Sequence, residues 1–296
     1  MKFILPVMLA STFLFSCSGS VNKQATDSVT DSTKNAVVSV NTDSSNVQEP
    51  ETGFTNAQGI EFGFSNAEGN KVLLLADTII GRPAFSVIAS DGEISVLLAF
   101  RKRQFATSND NGRQTSGNFA NCAGYLYEIK GSPADADKSV VFLTQEFLTG
   151  RTYFKVNEIK QTALPLEIKS RVEASKNRKI KNFRCLTVIN NKQSVYLFEF
   201  ENKGDSALAA LAYITPGKIV YEDFPALWNE SSTWRVDDGG NFGVDYFQLL
   251  AVFEKNGKLE IVTDWPGAEG INTEYLREEG NAFKSLKELS RYTAPE

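Results

Sequence analysis

Phe183-Arg184-Cys185-Leu186-Thr187-Val188-Ile189-Asn190-Asn191-Lys192-Gln193-Ser194-Val195-Tyr196-Leu197-Phe198-Glu199-Phe200 is the stretch that decides the fold. Two runs rich in β-branched and aromatic residues flank a polar turn, which is the signature of a β-hairpin. Folded about Asn191-Lys192, the stretch sets Arg184 opposite Glu199, Leu186 opposite Leu197 and Val188 opposite Val195. The other face then carries Phe183, Cys185, Thr187 and Ile189 against Phe200, Phe198, Tyr196 and Ser194. Both faces make sensible cross-strand pairs. Lysine disfavours positive φ, so a four-residue loop from Asn190 to Gln193 is expected.

Two further hairpins follow the same logic. Around Asp91-Gly92, a two-residue type I′ turn pairs Phe85, Val87 and Ala89 with Leu98, Val96 and Ile94, making one face wholly apolar. Around Asn256-Gly257, a two-residue loop would oppose Lys255 to Lys258 and Phe253 to Glu260. A three-residue loop with Gly257 in a G1 bulge avoids both conflicts and sets Glu254 against Lys258. It places Phe247, Leu249, Ala251 and Phe253 on one face with Trp265, Thr263, Ile261 and Leu259.

Further strands are expected at 72–80, 124–129, 140–147, 151–156, 208–214 and 218–221. Phe283, Leu286 and Leu289 fall at helical spacing behind Asn281 as an N-cap, which predicts a short C-terminal helix over 281–291. Residues 272–279, before Gly280, suit a short helix or a strand equally. The fold class is therefore all-β or β-dominated, a hairpin-rich antiparallel sandwich or barrel. The alternative is a β-propeller of about four blades. The globular part is expected at 53–296, with a possible two-lobed division near 169–182.

Composition narrows the function. The chain has 296 residues, of which 42% are hydrophobic, and a net charge of −5. That charge argues against nucleic acid as a partner, which calls for a basic footprint. There is no histidine. This removes Ser-His-Asp and Cys-His nucleophile systems, His-ligated zinc and imidazole general bases. No Walker A loop, Rossmann fingerprint, nucleophile elbow or Cys-x-x-Cys occurs, so neither cofactor nor metal is expected and the balance leans away from an enzyme.

The N-terminus fixes a place. Lys2 precedes an apolar run from Phe3 to Phe15, which ends in Leu14-Phe15-Ser16-Cys17. The run is too short to span a bilayer and suits a signal-peptide h-region. Leucine at −3, a small residue at −1 and cysteine next resemble the lipobox of the bacterial lipoprotein class. The resemblance covers residues 1–17 only. It implies removal of 1–16 and lipidation of Cys17, hence attachment by more than one acyl chain to a membrane of the cell envelope. Ser18, rather than Asp, implies in the enterobacterial version an outer-membrane address, facing the periplasm or the cell surface.

Residues 18–52 are rich in Ser, Thr, Asp and Asn and lack aromatics. They read as a disordered tether with a reach of roughly 30–35 Å. Beyond Cys17 the cysteines are Cys122 and Cys185. In an oxidising envelope they are disulfide candidates, worth about 4 kcal/mol if unstrained; two separate buried thiols is the competing reading. Gly53-Phe54-Thr55-Asn56-Ala57-Gln58-Gly59 recurs as Gly63-Phe64-Ser65-Asn66-Ala67-Glu68-Gly69, read as two turns around a short strand.

Three constellations bear on chemistry. Trp228, Glu230, Trp234, Asp237, Asp238 and Asp245 combine aromatics with carboxylates. They suit sugar stacking with acid–base chemistry, an oxygen-ligand cation loop, or simply turns between strands. Lys169, Arg171, Lys176, Arg178, Lys179, Lys181 and Arg184 form a basic run fit for an anionic polysaccharide, lipid headgroups or a solvated face. Residues 108–117 form a long polar loop. The expected function is a binding or scaffolding module for a glycan or an envelope protein, held to the membrane through Cys17. The alternative is a carboxylate-dependent glycan hydrolase.

Overall fold

The computed structural model describes residues 59–75, 85–157, 159–190, 192–228, 242–267 and 269–294, with the side chain of Leu98 excepted. Residues 1–58, which include Cys17 and the stretches read as a signal peptide and a tether, lie outside them.

The first half is a closed six-stranded barrel. Its strands are β1 (Ile60–Ser65), β2 (Lys71–Leu74), β3 (Phe85–Ser90), β4 (Glu93–Gln104), β5 (Gly124–Ile129) and β6 (Ser139–Thr144). They close in the order β1-β2-β5-β4-β3-β6, every pair antiparallel. Val72, Leu74, Ile88, Tyr127, Val140 and Phe142 fill the interior. Phe142 anchors this core, with Tyr127 at 5.4 Å and Phe85 at 5.9 Å between ring centroids.

The chain leaves the barrel through α1 (Gln145–Leu148), capped by Thr144 Oγ1, which accepts from the Phe147 N–H. Next come β7 (Thr152–Phe154), α2 (Leu166–Lys176), β8 (Ile180–Ile189), β9 (Gln193–Phe200), β10 (Ser206–Ile214) and β11 (Ile219–Leu227). The chain ends with β12 (Gln248–Lys255), β13 (Lys258–Pro266), β14 (Gly270–Glu279) and β15 (Ala282–Tyr292). These strands form one nine-stranded sheet in the order β7-β12-β13-β14-β15-β11-β10-β9-β8. It is antiparallel except where β11 meets β15, at the single parallel bridge Tyr221↔Ala282. Phe154 from one edge strand and Leu186 and Ile189 from the other join a single apolar cluster, so the sheet curls nearly shut around it. The β-rich expectation thus resolves into a closed barrel and a strongly curled sheet rather than propeller blades.

Several local expectations need correction. The Asp91-Gly92 register holds at Val87↔Val96 and Ala89↔Ile94, whereas Phe85, expected opposite Leu98, pairs with Thr144 of β6. In the second hairpin Leu186 is an extra, bulged residue between Cys185 and Thr187. The turn differs as well: Ile189 pairs with Gln193, so the loop is one residue shorter than the expected Asn190 to Gln193 and Val188 faces Ser194 rather than Val195. The shorter turn and the bulge together set Arg184 against Leu197 rather than Glu199, with Val188 turned outward and Ile189 turned into the core. In the third, Lys255 does pair with Lys258, across a two-residue Asn256-Gly257 turn with both residues at positive φ. Glu260 tolerates its place opposite Phe253 because Arg151 reaches it.

The expected C-terminal helix is a strand, β15. Leu286 bulges between Ser285 and Lys287, so Leu286 and Leu289 pack against one cluster while Phe283 enters the other, and the helical spacing marks no common face. Residues 169–176 lie in α2, whose Val172 is buried against the sheet, so the passage between the two halves falls at 145–151 rather than near 169–182. The Cys122–Cys185 disulfide is not formed. Cys122 packs with Phe64, Leu73 and Phe119, and Cys185 with Tyr196 and Phe198, in separate cores, both as free thiols.

A mixed seam joins the barrel to the sheet. Ile60, Phe62, Val87 and Val141 of the barrel pack on Leu250, Phe253, Val262 and Tyr275. Here β12 bulges at Leu250, and the Leu250 carbonyl accepts the N–H of Gly92 (3.1 Å). The Gly92 carbonyl accepts from the Val156 N–H (3.2 Å) and from the Tyr153 hydroxyl. Gly92 has φ of 72°, and a Cβ there would lie 2.2 Å from Val156 Cβ, so only glycine fits the latch. Three ion pairs complete the seam: Arg151–Glu260, Lys287–Glu61 and Arg291–Asp137.

Candidate functional site

Of the aromatic–carboxylate set, Glu230, Trp234, Asp237 and Asp238 lie outside the described residues. Trp228 follows the end of β11, 38% exposed, with its backbone N–H donating to the Asp205 carbonyl at 2.7 Å. Asp245 is exposed on a short 3-10 turn, Val244–Tyr246. Arg184 holds that turn by donating to the carbonyls of Asp245 and Phe247, both at 2.8 Å. Phe242 returns the chain to the core, stacked on Phe224 at 5.4 Å. Trp228 and Asp245 are thus fixed by different anchors, one on the β10–β11 hairpin and one on β8.

The arginines and Lys176 of the basic run are held by the fold, while Lys169, Lys179 and Lys181 stay exposed. Arg171 donates to the Thr215 carbonyl (2.9 Å), and Lys176 to both oxygens of Asp223 while lying 3.7 Å over the Tyr221 ring. Arg178 binds the carbonyl and hydroxyl of Ser206. Lys179 pairs with Glu173 and Lys181 with Glu199, each at 2.8 Å. The hydrogen bond from Lys179 holds the Glu173 carboxyl below its ordinary range. A continuous anion-binding stripe does not survive this pairing.

The polar loop is a scaffold of its own. Asp110 Oδ1 accepts from the Gly112 N–H and from Asn118 Nδ2. Asn118 Nδ2 also donates to the Arg113 carbonyl (2.9 Å) and to Cys122 Sγ (3.3 Å). The Cys122 thiol donates to the same carbonyl, and burial pushes it up to about 11, which makes it a poor nucleophile. Gln114 then exchanges backbone and side-chain bonds with Tyr292, so the loop braces β15.

Concavity and a perturbed carboxyl coincide elsewhere, at the β3–β4 turn. A cavity of about 260 Å³ is lined by Ile88, Ser90, Asp91, Glu93, Ser132 and Asp135, among others. Asp91 keeps an exposed edge, yet burial of its carboxyl raises its affinity for a proton. Lys138 opposes that shift, and Asp135, within hydrogen-bond reach, adds to it.

Sequence reasoning read Asp91 only as a turn residue and passed over Asp135, because no local pattern links two acids on different barrel loops. Among the described residues, no group of three or more His, Cys, Asp or Glu side chains is placed to hold a metal ion. Comparison with protein-family models, with curated proteins and with solved structures gave no match to this chain.

Proposed function

We propose that this chain is a membrane-anchored lipoprotein of the bacterial cell envelope, at the outer membrane, and that its β-rich domain is a binding or scaffolding module for a glycan or a protein. The observation that carries the reading is Leu14-Phe15-Ser16-Cys17 at the end of a short apolar run, followed by a tether without aromatics. Recognition is supported by large apolar side chains that stand in water after β11 and on the Val244–Tyr246 turn. Leu227 is 72% and Tyr246 62% exposed, with Trp228 beside Leu227. Aromatic residues with one free face are favoured wherever sugars or proteins dock.

Mass spectrometry of protein extracted from native membranes tests the anchor: a diacylglyceryl-modified Cys17 at the N-terminus is expected. An unmodified N-terminus, or a Cys17→Ala chain that still sediments with membranes, overturns it. A glycan array with a parallel hydrolysis assay tests the recognition. Binding without turnover is expected, and turnover that Asp237→Asn or Asp245→Asn abolishes would establish the hydrolase instead.

A further inference from the structure

Strand β4 carries Arg101, Lys102 and Arg103 in succession, and all three are exposed. Strand alternation alone would turn one of them inward. A bulge sets Arg101 between the paired residues Phe100 and Lys102 and breaks that alternation. Gln104 then turns inward, its amide donating to the carbonyls of Phe119 and Cys122, both at 2.7 Å. This hook fixes the backbone so that Phe105 points out, 68% exposed. Among the described residues, Phe105 is the only phenylalanine among the exposed large hydrophobics, in a chain with 21 of them. The Arg103 guanidinium lies 5.1 Å from its ring centroid and 5.9 Å from that of Tyr125. The result is a fixed aromatic ring with cations at its base, on a chain of net charge −5. Arg101 is partly offset by Glu128 at 2.7 Å, which leaves Lys102 and Arg103 as the main carriers.

We propose that this end of the barrel docks on anionic lipid headgroups, with Phe105 entering the interface and Lys102 and Arg103 resting on the headgroup charge. Charge complementarity and an unburied ring beside cations fit a bilayer surface, where aromatic and basic side chains act together. The patch is small, so docking is weak on its own. It becomes effective when an anchored tether of roughly 30–35 Å keeps the domain near the bilayer. The proposal therefore rests on the anchored reading, and the experiment separates the two.

The full chain bearing Phe105→Trp is purified from membranes and mixed with vesicles, either pure phosphatidylcholine or one-third phosphatidylglycerol, both carrying brominated lipid. Flotation reports the anchor, and quenching of the added tryptophan, relative to wild type, reports docking. Flotation with both vesicle types and quenching only with the anionic ones is expected. Lys102→Gln/Arg103→Gln should then lower the docked-to-free ratio roughly 25-fold, at about fivefold per cation, without changing flotation. Quenching without flotation would keep the docking and defeat the anchor. Flotation without quenching, or equal quenching in both vesicles, overturns the docking. So does quenching that a soluble acidic oligosaccharide abolishes, which would assign the patch to a glycan.

Discussion

The six-stranded barrel and the nine-stranded sheet are built from the same antiparallel hairpins, but only the barrel closes through its own hydrogen bonds. Closure leaves the barrel no free edge, and its interior is almost wholly apolar. The larger sheet keeps two edge strands. One, β7, has three residues; the other, β8, is bulged and carries Arg184, which straps the Val244–Tyr246 turn. Short, bulged or covered edges resist pairing with other chains. The seam between the two differs from both interiors: it contains Arg151, Glu260, Glu61, Lys287, Arg291 and Asp264. Apolar filling gives each half its stability, whereas the charged seam fixes how the barrel meets β12 to β15.

The sharpest way to break that comparison is at the latch. Gly92→Ala adds backbone strain at positive φ and a clash with Val156, so a loss of about 4 kcal/mol is expected in urea unfolding. If the seam alone couples the halves, the transition should also split in two. Next, Arg151→Met strands the Glu260 carboxylate, which is 2% exposed, and should cost about 3 kcal/mol. Arg151→Met/Glu260→Leu should recover most of it, and failure to recover would show that the pair contributes more than charge balance.

A pH series sharpens the picture further. Burial raises the Asp264 carboxyl to about 6 from an ordinary 3.8, against the opposing Thr273 hydroxyl bond at 2.7 Å and the Arg291 charge. A raised folded value means stability that is fully present below the unfolded value and lost as pH rises through about 6. Wild-type stability should thus fall by about 3 kcal/mol between pH 4 and pH 7.5 through this group. Asp264→Asn should remove that dependence, so its stability relative to wild type improves as pH rises; urea midpoints of both chains across this range check it. The smallest effect belongs to the turn of the third hairpin. Asn256 sits at φ of 53°, and Asn256→Ala should cost about 1 kcal/mol by thermal denaturation, with the seam untouched.

Much of the fold was legible because hairpins are local. Alternation and the Asp-Gly turn were enough to register β3 on β4, and the two faces of β8 and β9 were largely assigned. The misreadings came from turn lengths, from bulges and from partners far along the chain. Leu186 and Leu286 each insert one residue, which no propensity records. Glu260 looked out of place only because Arg151, its ion-pair partner, is 109 residues away. The candidate site was less legible still. Asp91 and Asp135 come to one cavity through barrel closure, and much of the basic run is tied to carbonyls and carboxylates distant in sequence.

The lone parallel bridge has a mechanical consequence. The nine-stranded sheet consists of a five-strand ribbon, β7-β12-β13-β14-β15, and a four-strand ribbon, β11-β10-β9-β8, stitched together at Tyr221 and Ala282. The Tyr221 N–H to Asn281 carbonyl bond, 3.1 Å long, crosses that stitch. Load applied across the sheet meets its thinnest backbone linkage there, and the apolar filling behind it must carry the remainder. The amide of Tyr221 is accordingly where solvent deuterium should first enter the middle of the sheet, ahead of every residue zipped along the long hairpins.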